Sequence, residues 1–210
     1  MLFSHLLYPI TDRGLSGLSH ADQVEALCRG GAEIVQLREK HLSPRHFLAE
    51  AESALRIARA SGARLIINDR VDIALALGAD GVHLGQTDLP PAAARRLLGD
   101  RAIVGYSTHS LAQAKAAAQL PVDYIAIGPV FPTTSKINPD PVVGLDLLKR
   151  ARAITGSIPL VAIGGINGAN ASSAIDAGAD AVAVISTLLS DPEKIAKQTA
   201  SLISLLARTN

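Results

Sequence analysis

The sequence has few of the features typical of secreted, membrane-bound or nucleic-acid-binding proteins. It has one cysteine, Cys28, so no disulfide can form within the chain, and this residue lies in a helical pattern typical of a small buried hydrophobe. Only 3% of the residues are aromatic, and the formal net charge is +1. Because no cluster of Lys and Arg with interleaved aromatics occurs, we expect neither nucleic acid nor a membrane as a partner.

Long hydrophobic runs and targeting signals are also missing. No apolar run approaches the roughly 20 residues that span a bilayer. The apolar start of the chain lacks the basic region and the small-residue cleavage site of a signal peptide. We therefore expect a cytoplasmic protein. The chain has 210 residues, 48% of them hydrophobic, which predicts one large domain over residues 1–210.

What the sequence does contain is a regular alternation of short apolar runs with helical patterns. The runs are almost continuously apolar, which is typical of parallel strands buried on both faces. They are LLYPIT, IVQLR, RLIIN, GVHLG, IVGYS, YIAIG, PLVAIGG and AVAVIS. Eight β-then-α units predict an α/β protein that forms a single (β/α)8 TIM barrel. An open doubly wound sheet is the alternative, although no GxGxxG follows the first run.

Local signals mark where the helices begin and end. Ser19, Ser43 before Pro44, and Asp191 before Pro192 are typical of helix starts. A Gly-Ala-acid pattern recurs before three of the runs, in GGAEIVQLR, LGADGVHLG and AGADAVAVIS. We expect the glycine of each to end a helix in the left-handed conformation, so that the chain can turn into the next strand.

Polar side chains follow the apolar runs at the strand ends where barrel enzymes carry their active sites. Gln36, Arg38 and Lys40 alternate along the second run, so all three are expected to face the barrel mouth. The other candidates are Asn68 and Asp69 after the third run, Gln86 and Asp88 after the fourth, Ser107 and His109 after the fifth, and Thr133, Ser135 and Lys136 after the sixth.

These residue types predict a metal-assisted phosphate site. Asp69 and Asp88 follow neighbouring strands and can hold Mg²⁺, with waters and substrate oxygens completing its coordination. Arg38, Lys40 and Lys136 can neutralise an anion that carries more than one charge. A structural network of salt bridges at the rim is the alternative.

The last two strands predict a second phosphate site. AIGGIN and AVIST carry small or apolar residues that let backbone N–H groups approach a ligand, as in the phosphate cradles of many barrels. A tight β-to-α turn is the alternative explanation for the two glycines. Together the two sites predict two phosphorylated small-molecule substrates that meet over the barrel mouth.

The chain resembles the thiamine-phosphate synthase family from the first strand to the eighth. The resemblance rests on QLREK, NDRVDIALALGADGVHLGQTD, GYSTHS, IGPVFPTTSK, IPLVAIGGI and AVAVIS, in that order. It implies a transferase of thiamine biosynthesis that joins hydroxymethylpyrimidine pyrophosphate to hydroxyethylthiazole phosphate, or its carboxylated form, and releases pyrophosphate.

The resemblance also implies roles for individual residues. Gln36 would contact the pyrimidine, and Asp69 and Asp88 would hold Mg²⁺. The pyrophosphate would be bound by Arg38, Lys40, Asn68, Ser107 and Lys136, of which Arg38, Lys40, Ser107 and Lys136 are the catalytic candidates. Thr133 and Ser135 would face the thiazole substrate, whose phosphate would be held by Gly165, Ile185 and Ser186. Ser135 stands where the family commonly has threonine, and PTTSK would be a flap over the site.

Three other functions compete with this hypothesis. A thiazole tautomerase on the same barrel would need neither the Asp69 and Asp88 pair nor the lysines Lys40 and Lys136. A non-catalytic sensor would bind both phosphorylated ligands without turnover, and a sugar-phosphate isomerase would need an additional acid and base pair. His109 is interpreted as a packing or hydrogen-bonding residue or as a proton shuttle. The sequence leaves open whether the chain forms a homo-oligomer.

Overall fold

The structure is a computed structural model that describes residues 2–133 and 140–208. Over these residues eight parallel strands form a closed barrel in chain order, with β8 paired to β1. The strands are β1 Leu7–Thr11, β2 Ile34–Leu37, β3 Arg64–Asn68, β4 Gly81–Leu84, β5 Ile103–Thr108, β6 Tyr124–Ile127, β7 Leu160–Ile163 and β8 Ala181–Val184. The helices are α1 Arg13–Ser16, α2 His20–Arg29, α3 Pro44–Ala60, α4 Val71–Leu77, α5 Pro91–Leu98, α6 Leu111–Ala117, α7 Gly144–Thr155, α8 Ala171–Asp176, α9 Ser186–Leu189 and α10 Ile195–Leu206.

The predicted (β/α)8 barrel is confirmed, and the doubly wound sheet is wrong. Each predicted apolar run contains one strand, and the boundaries differ by no more than a few residues. Ser19 and Ser43 cap α2 and α3 as predicted, by accepting from the backbone N–H groups of Asp22 and His46. The chain also turns helical at Pro192 as predicted: a 3₁₀ turn, Pro192–Lys194, leads into α10, and the Asp191 carboxylate pairs with the Lys194 ammonium.

The Gly-Ala-acid pattern has a double role at the amino-terminal end of the barrel. Its glycines Gly31, Gly78 and Gly178 have φ values of 95°, 56° and 100°, as the pattern predicts. Two of the three acids then tie the chain just before β4 and β8 to the preceding strand. Asp80 accepts from the Leu65 N–H at 2.8 Å, and Asp180 accepts from the Leu160 N–H at 2.7 Å. These bonds satisfy backbone donors at the barrel edge, where the parallel ladder ends.

The two faces of each strand have different surroundings. Side chains that point outward pack against the helices in a large apolar layer, to which Val35, Leu37 and Leu65 belong. Side chains that point inward form a smaller cluster around Tyr8 and Tyr124. This alternation follows from the period of two along a strand.

The amino-terminal end of the barrel interior is closed by an aromatic side chain. Phe3 is 2% exposed, and its ring centroid lies 5.3 Å from those of both Tyr8 and Tyr124. The barrel interior is therefore closed at this end and open at the carboxyl ends of the strands, where the predicted site lies. Among the described residues no helix is long and apolar enough to cross a bilayer.

Candidate active site

A cleft of about 520 Å³ opens at the carboxyl ends of the strands. Its lining brings together every predicted site residue that the structure describes. These are Gln36, Arg38, Lys40, Asn68, Asp69, Gln86, Asp88, Ser107, His109, Thr133, Gly165, Ile185 and Ser186. Ser135 and Lys136 lie outside the described residues, so their predicted positions stay predictions.

The alternation along β2 and its loop aims three residues at the cleft. Gln36 lies deepest, at 2% exposed, and Arg38 and Lys40 follow towards the rim. The Arg38 guanidinium donates to the Asp12 carboxylate at 2.8 Å, which fixes its direction from the end of β1. Sequence reasoning missed Asp12, although its place directly after the first strand was the available signal.

Asp69 and Asp88 face each other at the rim, as the sequence predicts. Asp69 has a φ of 62°, a left-handed conformation that Asp adopts more readily than most residues, and its carboxylate pairs with the Lys40 ammonium. Asp88 accepts from the Gly85 N–H at 2.6 Å. Burial raises the pKa of Asp88, and the adjacent Asp69 carboxyl raises it further against the opposing Gly85 hydrogen bond.

The described residues contain no cluster of three or more His, Cys, Asp or Glu side chains that could hold a metal ion. The two facing carboxylates are nevertheless a suitable donor set for a hard cation. Mg²⁺ takes six oxygen ligands and is commonly held by one or two carboxylates, with water and substrate oxygens supplying the rest. Burial first, and then the adjacent Asp69 carboxyl, raise the pKa of Asp88, and a divalent cation between the two carboxylates would favour the charged form.

A chain of buried hydrogen bonds runs beneath the cleft and was not foreseen. Gln36 Nε2 lies 3.1 Å from the Tyr8 hydroxyl, which lies 2.8 Å from that of Tyr124. The Tyr124 hydroxyl lies 2.8 Å from His83 Nδ1, and His83 Nε2 lies 2.8 Å from Ser107 Oγ. The sequence contained a signal for these residues. The alternation that turns Gln36 inward on β2 also turns Tyr8, His83 and Tyr124 inward on their own strands.

Burial keeps the members of this chain neutral. It lowers the pKa of His83 to about 4 against the weaker opposing charge of Asp88, and it raises the pKa of both phenols, Tyr8 and Tyr124. The His83 ring stacks on Tyr124 with centroids 5.4 Å apart. Space for the Tyr124 ring comes from Gly105, where a Cβ atom would lie 2.0 Å from Tyr124 Cζ.

The loop that carries Arg38 and Lys40 is supported from its outer side. Glu39 lies between them and points the other way, so its carboxylate meets the buried His20 ring at 3.1 Å. Glu39 also accepts from the His41 and Leu42 N–H groups. Burial acts to raise the pKa of Glu39, but these hydrogen bonds outweigh it and lower the pKa.

The opposite wall of the cleft is built from backbone. Gly165 has a φ of 65°, and a Cβ atom there would lie 2.3 Å from the Pro132 carbonyl oxygen. Close approach of the loop after β6 therefore requires glycine at this position. Ile185 and Ser186 border the same wall, where β8 passes into α9. The tight turn that served as the alternative explanation for the two glycines is present, and it does not conflict with the predicted phosphate cradle.

His109 is a hydrogen-bonding residue of the cleft wall. Its Nδ1 lies 2.7 Å from the Gly128 carbonyl oxygen and 3.6 Å from an Asp140 carboxylate oxygen. The ring therefore joins the end of β5 to the loop after β6. This arrangement agrees with the first of its two interpretations.

Comparison with known proteins identifies the family. A family profile described as thiamine monophosphate synthase matches residues 7–188. The thiamine-phosphate synthase of Chloroflexus aurantiacus is 48% identical over 202 residues, which cover 95% of this chain and 93% of that protein. This chain belongs to the thiamine monophosphate synthase family. The synthase of Koribacter versatilis, also 48% identical, covers 91% of this chain and 92% of its own length.

Solved structures agree with the family and with the fold. The thiamine phosphate pyrophosphorylase from Pyrococcus furiosus superposes with a TM-score of 0.89 at 35% identity, over 100% of this chain and 99% of that one. Tryptophan synthase from Mycobacterium tuberculosis, at 16% identity and a TM-score of 0.71, shares the fold alone. The predicted family and a transferase of this class are thereby confirmed.

Proposed function

We propose that this chain makes thiamine phosphate by joining hydroxymethylpyrimidine pyrophosphate to hydroxyethylthiazole phosphate, with release of pyrophosphate. The observation that carries the proposal is a single cleft with two unlike walls. One wall presents Arg38, Lys40 and the facing carboxylates, and the other presents the backbone around Gly165 and Ser186. Two phosphorylated substrates can therefore occupy one cavity with their reacting ends together.

The charges of the described residues explain why a metal ion belongs in the proposal. Arg38 is already paired with Asp12, and Lys40 is paired with Asp69. A pyrophosphate ester brings further negative charge that these ion pairs cannot neutralise by themselves. Mg²⁺ held by Asp69 and Asp88 would supply the missing positive charge, and it would act as a Lewis acid on the leaving group.

For the remaining site residues we propose the roles that the family resemblance implies, and the described ones all line the cleft. Gln36, at the bottom, contacts the pyrimidine, and Asn68 and Ser107 donate to the pyrophosphate beside Arg38 and Lys40. Thr133 faces the thiazole, and Gly165, Ile185 and Ser186 hold its phosphate. Lys136 and Ser135 are proposed to complete the two substrate sites from outside the described residues.

The reaction that this arrangement favours is a dissociative substitution. The bond between the pyrimidine methylene carbon and the pyrophosphate oxygen breaks, and its electron pair leaves with pyrophosphate. The thiazole nitrogen then donates its lone pair to the methylene carbon and forms the new bond, so that no proton is transferred. The electron-rich aminopyrimidine stabilises the cation, while the cleft holds the two rings in register, which is worth about 7–11 kcal/mol.

The test is to measure pyrophosphate release from the two substrates, with and without Mg²⁺. Wild-type protein is expected to turn over only with both substrates and the metal. Asp88→Asn retains an acceptor for the Gly85 N–H and removes a charge, so its rate is expected to fall about 100-fold or more. Asp100→Asn, the same change at an exposed position before β5, is the matched control.

Each rival function predicts a different result in the same assay. A sensor would bind both ligands and release no pyrophosphate. A tautomerase would convert the thiazole isomer without Mg²⁺ or the pyrimidine substrate. A stable pyrimidinyl adduct on the protein, detected by mass spectrometry, would contradict the dissociative route.

A further inference from the structure

The buried hydrogen bonds beneath the cleft connect residues of both halves of the pyrimidine substrate's proposed site. Gln36 stands at one end, where the ring is proposed to bind, and Ser107 stands at the other, beside the pyrophosphate. The residues between them are Tyr8, Tyr124 and His83, which are 1%, 0% and 6% exposed. None of these three belongs to the predicted site residues.

The direction of each hydrogen bond follows from counting protons. Gln36 donates to the Tyr8 hydroxyl through Nε2, so the single phenolic proton of Tyr8 is left for Tyr124. The Tyr124 proton then has only His83 Nδ1 as an acceptor among the described residues. Burying a hydroxyl without a hydrogen-bond acceptor costs free energy. Each hydroxyl proton is therefore donated to the one acceptor that remains available to it.

The same count continues through the imidazole. A neutral histidine carries one ring proton, and its Nδ1 is occupied as an acceptor from Tyr124. The proton therefore resides on Nε2 and is donated to Ser107 Oγ at 2.8 Å. Ser107, which borders the cleft, is left with its own hydroxyl proton to donate.

We propose that Tyr8, Tyr124 and His83 are positioning residues whose one-directional chain makes Ser107 a hydrogen-bond donor towards the leaving pyrophosphate. The chain simultaneously holds the Gln36 amide so that its oxygen accepts from the pyrimidine substrate. The catalytic part of this inference rests on the proposed function. The direction of the hydrogen bonds does not rest on the proposed function, because it is a property of the protein without ligands.

The packing of the barrel interior leaves room for the hydrogen-bonded side chains and fixes their orientation. Gly105 pairs with Tyr124 in the register of β5 and β6, and it leaves room for the Tyr124 ring that any other residue would fill. The stack of His83 on Tyr124 fixes the plane of the imidazole. Both ring nitrogens therefore keep their directions when substrate is absent, which is the requirement for a preorganised donor.

The direction of the chain is tested by ¹⁵N NMR of histidine-labelled protein without ligands. The sequence has six histidines, and the His83 signals are assigned from backbone correlations and from their absence in His83→Gln. At pH 7.5 we expect an unprotonated Nδ1 and a protonated Nε2. Protonation on Nδ1 would mean that the chain runs from Ser107 to Gln36 and would overturn the proposal.

The kinetic consequence is tested with Tyr124→Phe, which removes one hydroxyl and keeps the ring. Its kcat is expected to fall about 10- to 100-fold, the value of a hydrogen bond to a charged group, while KM for the thiazole phosphate changes by less than about twofold. Tyr8→Phe is expected to act in the same direction. Tyr106→Phe is the matched control, because Tyr106 lies on the outward face of β5 and outside the cleft.

A purely structural role predicts a different pattern of results. If Tyr124→Phe and Tyr8→Phe fold, as thermal unfolding shows, and turn over like Tyr106→Phe, the proposal is wrong. A loss of thermal stability with unchanged kcat contradicts it as well. If wild-type protein releases no pyrophosphate, the proposed function fails, and the tautomer of His83 alone decides the direction of the chain.

Discussion

The outward and inward faces of the eight strands differ although they alternate along the same short segments. Outward positions such as Val35, Leu37 and Leu65 are aliphatic and fully buried against the helices. Inward positions include Gln36 and His83, which are polar and yet buried, at 2% and 6% exposed. The outward face thus stabilises the fold, and the inward face carries the polar groups of the site. A slip of one residue in strand register would exchange the two faces.

The inward face tolerates polar groups because they satisfy one another. Among the described residues no buried side-chain nitrogen or oxygen lacks a hydrogen-bond partner. The outward face needs fewer such bonds, because most of its side chains are aliphatic. Mutations on the outward face should therefore reduce stability most, and mutations on the inward face should reduce activity as well.

The largest effect is expected where the inward face has no spare volume. Gly105→Ala places a methyl group 2.0 Å from Tyr124 Cζ, so β5 or the Tyr124 ring must move. We expect the free energy of unfolding to fall by about 3 kcal/mol or more, together with loss of turnover, since overpacking of a core is costly. Urea denaturation and pyrophosphate release measure the two losses. Gly168→Ala is the control, because a Cβ atom there would have no neighbour within 4 Å; equal behaviour of the two variants would contradict the prediction.

Two adjacent residues, Leu37 and Gln36, allow the outward and inward faces to be compared. Leu37→Ala removes a fully buried outward side chain, so stability should fall by about 2–4 kcal/mol while the folded protein keeps its kcat. Gln36→Leu should do the reverse, with a change in stability below about 1 kcal/mol and a large loss of turnover. Urea unfolding curves give the stability of both variants, and pyrophosphate release gives their kcat. A loss of kcat in Leu37→Ala that is as large as in Gln36→Leu would remove the distinction between the faces.

The smallest effect concerns pH and the neutral His83. Its pKa is about 4 in the folded protein and 6.5 in the unfolded chain, so protons favour the unfolded state as pH falls below 6.5. The resulting loss is absent above about pH 7 and reaches about 2 kcal/mol at pH 5. Gln at position 83 cannot titrate. Between pH 7.5 and pH 5, the free energy of unfolding of His83→Gln should therefore fall by about 2 kcal/mol less than that of the wild type, as measured by urea denaturation. Parallel losses in the two proteins would show that His83 is protonated when folded.

The sequence was sufficient to predict the barrel and most of the cleft for one physical reason. Parallel strands put their carboxyl ends at the same edge, so residues that follow eight separate runs must converge. Gln36, Arg38 and Lys40 could be assigned to one side by alternation alone. Likewise, left-handed glycines before acids predicted the turns into three strands, because few other residues adopt that conformation.

What the sequence did not predict are contacts between strands far apart in the chain. The Tyr8 and Tyr124 hydroxyls are separated by 116 positions, and their meeting depends on the barrel's closure. Asp12 as the partner of Arg38 and His20 as that of Glu39 depend in the same way on how β1 and α2 pack beside β2. The assigned roles of the site residues, Mg²⁺, a cytoplasmic location and the extent of one domain over residues 1–210 stay predictions.

Phe3 closes one end of the barrel interior. Its ring lies at the amino-terminal end beside both tyrosines, and among the described residues Gln36, His83 and Ser107 line the cleft at the other end. A substrate that covers the cleft would therefore shield these polar side chains from bulk water. In the proposed dissociative route, this shielding would let the pyrimidine cation meet the thiazole nitrogen instead of a hydrolysing water molecule.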